Sequence, residues 1–226
     1  MNRTLTSTLL ILGIVAAMAT ARAEPPQVSL EGLELVEKTH RGAIYADPAI
    51  DWTVYDKIQL DTATVSFRKR WKRDQNRNQP FKVKDSDMER IKNELSELFD
   101  TVFTEELAGK GGYQMTSETA DDVMRITPRI ADLDVYAPDT SRNVGITRSY
   151  TETAGKMTLK LEIYDSVTGD LIAAISDRRE SPRRGYMQWT NSVTNRADAR
   201  RMLQRWATEL RERLDEAQSS PGATGH

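Results

Sequence analysis

The segment from Met157 to Ile163 alternates strictly between apolar and polar residues. Its apolar members are Met157, Leu159, Leu161 and Ile163, and its polar members are Thr158, Lys160 and Glu162. Successive side chains of a β-strand point to opposite faces, so the pattern predicts a strand with one buried and one solvated face. DSVTGD follows, with Gly169 suited to a left-handed turn, and the residues up to Ile175 return. We therefore predict an antiparallel hairpin within a half-buried sheet.

Two later segments carry apolar residues at helical spacing. The first stripe consists of Met88, Ile91, Leu95, Leu98, Phe99, Val102 and Phe103. The second consists of Ala199, Met202, Leu203, Trp206, Leu210 and Leu214. Ser86 and Glu89 are a candidate capping box for the first helix, and glycines from Gly109 onward end it. Thr194 or Asn195 is the candidate N-cap of the second. We interpret both stripes as core-facing.

The remaining strand candidates are less regular. In YDKIQLDTATVSF the apolar residues change parity near Asp61 and Thr62. Either one inserted residue restores a single core face, or the strand is covered on both faces. YQMTS and VMRITPRIADLDVYA are the next candidates, and Pro128 predicts an edge or a bulge because proline donates no ladder hydrogen bond. Asp132 and Asp134 are interpreted as the outward face of a strand end.

The order of elements, β, α, β, β, β, β, α, predicts an α+β fold. We expect a mostly antiparallel sheet of four to five strands, covered on one face by two helices. The expected organisation is a signal peptide at 1–23, an extended segment lying over the domain at 24–52, one α+β domain at 53–217 and a disordered tail at 218–226.

The N-terminus has the pattern of a secretory signal. Arg3 precedes an uncharged stretch whose apolar core runs from Leu9 to Ala19, and Ala21 and Ala23 supply small residues for cleavage. The apolar core is shorter than the roughly 20 residues that cross a bilayer, which argues against a membrane anchor. No cysteine follows the small residues, so we expect a soluble periplasmic protein without a lipid.

Composition narrows the chemistry that is available. Without Arg3 and Arg22 the mature chain has 32 − 2 = 30 basic residues against 34 acidic ones, a net charge of −4. This balance argues against nucleic-acid binding. The chain has no cysteine and only two histidines, His40 and His226, so we expect no disulfide, no histidine-based catalysis and no zinc site. The aspartates form no calcium-loop pattern, and we expect neither a metal nor a cofactor.

Two basic stretches with aromatic residues are the candidate ligand-binding sites. The first contains Arg68, Arg70, Trp71, Lys72 and Arg73. It would suit an anionic partner, but the favoured interpretation is that these residues pair with Asp74, Asp85 and Asp87 and keep a strand end soluble.

The second stretch links the hairpin to the last helix. Its candidates are Arg183, Arg184, Trp189 and Asn191. Such a loop is either a recognition site or a plug over the edge of the core, and both interpretations stay open. The two stretches would converge if the strands that carry them are neighbours.

Several segments together resemble a bacterial family known as domain of unknown function 3313. They are YDKIQLD, DMERIKNELSELF, APDT, GKMTLKLEIYDSVTGDLIA and MQWTNSVTNRADARRMLQRWA, and they span roughly Leu33 to Ala217. The resemblance implies an exported envelope protein of Gram-negative bacteria, many members being lipoproteins, and it supplies no catalytic residues. This chain departs from the lipoprotein pattern because ARAE has no cysteine.

We therefore expect a non-enzymatic periplasmic module that binds an envelope protein or an anionic envelope component. The alternative is a carboxylate-based hydrolase of envelope polymers, which would need two carboxyls of raised pKa in one cleft.

The first prediction concerns processing. Cleavage between Ala23 and Glu24 should release a soluble protein, because the small residues form a cleavage site that no lipid-accepting cysteine follows. Amino-terminal sequencing should read from Glu24. A retained Met1, or recovery only with membranes, would contradict it.

Overall fold

The computed structural model describes residue 30 and residues 32–77, 82–135, 149–151, 155–181, 188–190 and 192–219. Its helices are α1 (Trp71–Gln75), α2 (Asp85–Ala108) and α3 (Ser192–Ser219). Its strands are β1 (Glu34–Lys38), β2 (Gly42–Ala46), β3 (Lys57–Leu60), β4 (Thr64–Phe67), β5 (Gln114–Met115), β6 (Val123–Val135), β7 (Ser149–Thr151), β8 (Gly155–Asp165), β9 (Leu171–Glu180) and β10 (Gln188–Thr190). None of the described helices has the length and apolar character to cross a membrane.

The predicted hairpin is confirmed as β8 and β9. The strands pair antiparallel, with Leu161 opposite Ile175 and Leu159 opposite Asp177. Gly169 lies in the turn with φ +74°, a left-handed conformation that a side chain would strain. The apolar residues of β8 are buried, so the alternation places one face of the sheet in the core.

The fold is α+β as predicted, but the sheet is larger and mixed. Among the described residues eight strands form it, in the order β1-β2-β9-β8-β6-β3-β5, with β4 also paired to β6. The strands β3, β4 and β5 take part in parallel pairs. The prediction of four to five mostly antiparallel strands is therefore wrong. The helix α2, between β4 and β5, carries the chain back to the end of the sheet at which β3 begins. The strand β6 therefore starts at that same end and runs parallel to β3 and β4.

The change of parity near Asp61 is an inserted residue, as the first of the two alternatives proposed. Leu60 lies opposite Ile126 and Thr64 opposite Arg129, so four steps along β3 and β4 match three along β6. The strand β6 is central, so an edge position for Pro128 is wrong. The N–H of Asp61 donates to the carbonyl of Ile126, and backbone groups two residues apart point the same way. The nitrogen of Pro128, which carries no hydrogen, therefore faces this interruption, where no ladder hydrogen bond is required.

Both long helices form, but they begin earlier than predicted. The helix α2 starts at Asp85, and Asp87 accepts the backbone N–H of the N-cap residue Lys84 at 2.9 Å. The capping contact thus runs from the Lys84 N–H to Asp87, and the predicted pair of Ser86 with Glu89 does not form the cap. The helix α3 starts at Ser192, which places the predicted caps inside it. Asp87 and Glu89 could each accept the N–H of the residue three positions earlier, and the local sequence does not decide between them.

The core lies between the helices and one face of the sheet. The apolar residues of α2 and α3 pack on alternate residues of the central strands. The buried members include Phe99, Phe103, Leu203, Trp206, Met124, Ile126, Ile130, Leu159 and Leu161. The opposite face of the sheet is left to polar residues.

The sheet continues into the segment for which we predicted only an extended path. Within residues 24–52, β1 and β2 form a hairpin, and β2 pairs with the edge of β9. At the other terminus α3 continues to Ser219, where a tail from residue 218 was expected, and the side chain of Gln218 donates to the carbonyl of Tyr55.

The corrected cap gives a direct test. Replacing Asp87 with alanine removes the acceptor of the Lys84 N–H and should lower the free energy of unfolding by about 1 kcal/mol. Ser86→Ala, one residue away and exposed, should change it by less than about 0.5 kcal/mol. Denaturant unfolding measures both. A larger loss for Ser86→Ala would restore the cap that the sequence suggested.

Candidate binding surface

The first basic stretch forms a turn between β4 and α2, and its tryptophan is part of the core. Trp71 is 1% exposed and stacks on Phe67 with 4.2 Å between ring centroids. Its indole N–H donates to the carbonyl of Val135 at 3.1 Å. Trp71 therefore anchors the turn to the end of β6, and it presents no face to a ligand.

Most cations of this basic turn, residues 68–73, are held by neighbouring carboxylates. Arg68 donates to Asp134 at 3.0 Å and to Asp74 at 2.9 Å. Lys72 pairs with Asp85 at 2.7 Å, and Arg73 pairs with Asp74. Hydrogen bonds from Arg68, and then from Arg73, hold the pKa of Asp74 below its usual value.

These contacts correspond to the second interpretation of the stretch, in which the charges keep a strand end soluble. The sequence analysis expected the partners Asp74, Asp85 and Asp87. The first two occur as ion pairs.

Asp134 lies on the outward face of the sheet, as the sequence suggested, since it is opposite Lys156 and not a core residue, but it is buried there. Its residue is 6% exposed, whereas Asp132 is exposed. Ala131 pairs with Thr158 and Asp134 with Lys156, so three steps on β6 oppose two on β8. This bulge, with Asp132 at φ +51°, shifts the parity and turns the Asp134 carboxylate toward Arg68.

The basic turn also contains a left-handed arginine. Arg70 has φ +65°, is exposed and makes no ion pair within the described chain. The backbone N–H of Arg68 donates to the carbonyl of Leu133, so the turn and the bulge at Asp132 adjoin. The two left-handed non-glycine residues of the described chain thus lie at the same end of the sheet.

Sheet topology brings the two basic stretches to this end. The strands β4, β6 and β9 run in one direction, because β4 is parallel to β6 while β8 is antiparallel to both β6 and β9. The first stretch leaves the end of β4 and the second the end of β9, with β6 and β8 between them. Three strand spacings separate the ends of β4 and β9 by about 14 Å, so the strands that carry the two stretches are not neighbours.

The second stretch is only partly described. Arg183, Arg184 and Asn191 lie outside the described residues. Trp189 belongs to β10, which pairs antiparallel with β7 so that Trp189 lies opposite Tyr150.

A further set of cations lies on the sheet face opposite the helices. Arg129 on β6 lies directly opposite Lys160 on β8. Arg178 on β9 is diagonal to Lys160, since Ser176 is the direct partner of Lys160. Lys160 and Arg178 are exposed and have no ion pair within the described residues. We call Arg129, Lys160 and Arg178 the basic face.

One acid beside the basic face, Glu162, is already engaged. Glu162 is 9% exposed, and it accepts from Arg129 at 3.1 Å and from the hydroxyl of Tyr164 at 3.0 Å. Burial, followed by the hydrogen bond to Glu162, raises the pKa of Tyr164 to about 12. Tyr164 therefore stays protonated at neutral pH. Glu162 compensates Arg129, which leaves two positive charges on the basic face.

The described residues do not supply the carboxyl pair that a hydrolase would require. Burial raises the pKa of Asp100 on α2, and no second carboxyl with a raised pKa is resolved within the described chain. Nor do three potential metal ligands come together within it.

The sequence analysis did not single out the basic face. Lys160 was recognised only as a residue of the wet side of its strand, and Arg129 and Arg178 were not discussed together. A signal was present, since all three occupy outward positions of alternating strands. Which strands are neighbours, however, is decided by tertiary pairing.

The conformation of Arg70 is testable. A non-glycine residue in the left-handed region costs about 1 kcal/mol, so Arg70→Gly should raise the midpoint of thermal unfolding. Lys69→Gly, at the neighbouring exposed residue, should lower it because glycine adds entropy to the unfolded chain. Calorimetry distinguishes them, and a lower midpoint for both would show that Arg70 is unstrained.

Several solved structures are similar to this chain over about three quarters of its length. One is a PelC dodecamer from Paraburkholderia phytofirmans, 9% identical, with a TM-score of 0.37, over 75% of this chain and 97% of that one. Another is a DUF330 protein from Xanthomonas campestris, 13% identical, with a TM-score of 0.40, over 77% and 91% of the two chains. A third is a putative neuraminyllactose-binding hemagglutinin homolog from Helicobacter pylori, 13% identical, with a TM-score of 0.36, over 75% and 96%. At these values the likeness carries no argument about function.

No curated protein matches the sequence. One family does, and its match covers most of the chain, from residue 26 to residue 210. This agrees with the resemblance drawn above from five separate segments. The chain belongs to the family described as "Protein of unknown function (DUF3313)".

Proposed function

We propose that the mature chain is a non-enzymatic periplasmic module that binds an anionic polymer of the cell envelope through its basic face. The observation that carries the proposal is the placement of Lys160 directly opposite Arg129, with Arg178 diagonal to it. Glu162 compensates Arg129, but Lys160 and Arg178 have no ion pair within the described residues, so ion pairing within the fold does not account for these two charges.

Solubility does not account for the charges either. Edge strands often carry lysine to prevent aggregation, but β8 is paired on both sides and has no free edge. An uncovered sheet face needs polar side chains, and threonine or serine would supply them without repulsion. An anion spanning the face would relieve the repulsion, since it gains charge-assisted hydrogen bonds from several donors.

The geometry suits an extended ligand. Directly opposite residues have Cβ atoms about 5 Å apart, and diagonal ones are about 7–8 Å apart. Cations at such intervals match a chain of repeated negative groups better than a single small anion. The basic turn follows the end of β4, next to Leu133 of β6 and four residues beyond Arg129, and it gives such a polymer further contacts.

Within the basic turn the roles divide. Arg68, Lys72 and Trp71 hold the turn in place, whereas Arg70 and Arg73 are exposed. We assign Arg70 and Arg73 as auxiliary contacts. Arg183, Arg184, Trp189 and Asn191 stay candidates of the second stretch.

The periplasmic assignment is supported by the signal pattern of residues 1–23. The non-enzymatic assignment is supported by the kind of site proposed. Its cations lie on adjacent strands of a sheet face, whereas general acid-base catalysis depends on positioned groups of matched pKa.

The test is a pair of charge variants. Lys160→Gln with Arg178→Gln should weaken binding to lipopolysaccharide, an anionic envelope component, about tenfold, or about 1.4 kcal/mol. Binding of the unaltered protein should fall steeply above about 0.15 M salt, where exposed charges are screened within about 8 Å. Titration calorimetry measures both effects, with neutral dextran as the reference polymer.

The matched control is Arg196→Gln with Arg205→Gln, which removes the same charge from exposed residues of α3. It should leave binding within about twofold of the unaltered protein, because α3 lies on the opposite side of the sheet. Equal losses in the two double variants, or no binding at low salt, would refute the proposal. Arg70→Gln with Arg73→Gln then tests the auxiliary contacts.

A further inference from the structure

The hairpin of β1 and β2 is a weakly buried edge of the main sheet. No residue of either strand is buried, whereas Met157, Leu159, Leu161 and Ile163 of β8 are each at most 2% exposed. Leu35 and Val36 of β1 are even 51% and 62% exposed. Segments with few buried apolar contacts open at a lower free energy than the whole domain unfolds.

Few interactions tie this hairpin to the rest of the protein. Five residues of β2 pair with β9, against nine residue pairs between β8 and β9. Two ion pairs add to them: Glu37 of β1 accepts from Arg213 of α3, and Arg41 lies 3.5 Å from Asp177. Glu37, Arg213 and Arg41 have side chains at least 40% exposed, so each ion pair contributes about 0–1 kcal/mol and weakens with salt.

Beneath the hairpin lies a partly open cleft with an apolar floor and a polar rim. Leu159, Leu161, Ile175, Trp206 and Leu210 line it from β8, β9 and α3, Gly42 to Ile44 form part of its wall, and charged residues such as Glu37, Asp177 and Glu209 complete the lining. Its volume is about 60 Å³, room for a few water molecules only. The apolar lining is thus kept from solvent in part by a weakly held hairpin.

We infer that the β1–β2 hairpin is a flap that opens as a unit while the remaining sheet stays paired. Opening exposes two things at once, the backbone edge of β9 and the apolar lining around Trp206. An exposed strand edge beside an apolar groove is the arrangement by which folded domains bind extended segments. This inference is independent of the anion-binding role of the basic face.

Gly42 offers a way to release the flap selectively. A Cβ at this position would lie 1.7 Å from the carbonyl oxygen of Ser176 on β9, and backbone cannot yield as a flexible side chain would. Gly42→Ala should therefore separate β2 from β9 without touching a core side chain. Gly109→Ala is the matched control, because nothing lies within 4 Å of its added methyl group.

Native-state hydrogen exchange, followed residue by residue, tests the flap in the full mature chain. Amides of β2 that donate to β9 should exchange about 100-fold faster than those of β8. Gly42→Ala should speed the exchange of the β2 amides further and leave the exchange rates of the β8 amides within about threefold of those in the unaltered protein. It should also increase the fluorescence of anilinonaphthalene sulfonate, a reporter of exposed apolar surface. Gly109→Ala should change neither the exchange rates nor the fluorescence.

Three results would overturn the inference. They are equal exchange of β2 and β8 in the unaltered protein, an equal loss of protection in both strands of Gly42→Ala, and failure of that variant to fold. A milder variant, Arg213→Gln, removes one ion pair and should speed exchange of β1 and β2 about threefold while β8 is unchanged. No effect of this change on β1, or an equal effect on β8, would also count against the flap.

Discussion

The rest of the structure depends on keeping one face of strand β6 in the core along its whole length. This strand has 13 residues and pairs with β8 on one side and with β3 and β4 on the other. A slip of one residue would turn every side chain to the opposite face. Two irregularities instead keep the buried set together, the inserted residue after Leu60 and the bulge at Asp132. Both helices then pack on a continuous apolar surface.

The same two irregularities shape the charged end of the sheet. The bulge places Asp134 on the outward face of the sheet, where it pairs with Arg68, and the indole N–H of Trp71 in the turn after β4 donates to the carbonyl of Val135. Charges that appeared in the sequence as one cluster thus divide into structural and exposed members. Breaking the pair of Arg68 with Asp134 would leave a buried carboxylate short of partners, a larger cost than losing a surface ion pair. Exposed cations such as Arg70 carry no such constraint and are free to serve binding.

Stability is distributed unevenly across the sheet. The central strands β6 and β8 are buried by the helices, while the β1–β2 hairpin is held mainly by backbone pairing and exposed ion pairs. Such a gradient separates the part that maintains the fold from a part that can move. The basic face lies on the central strands and the flap at an edge. Binding an anion and opening the flap therefore draw on different parts of the structure.

The sequence by itself determined the features that repeat locally. Alternation in β8, the apolar stripes of α2 and α3, the turn at Gly169 and the change of parity near Asp61 all follow from side-chain periodicity. The family was also recognisable from its segments. Tertiary structure decided the rest: the parallel pairing of β3 and β4 with β6, the N-terminal hairpin, the burial of Trp71 and Asp134, and the approach of Arg129, Lys160 and Arg178. These features depend on which distant segments become neighbours, and that choice is made by the total surface buried rather than by any local pattern.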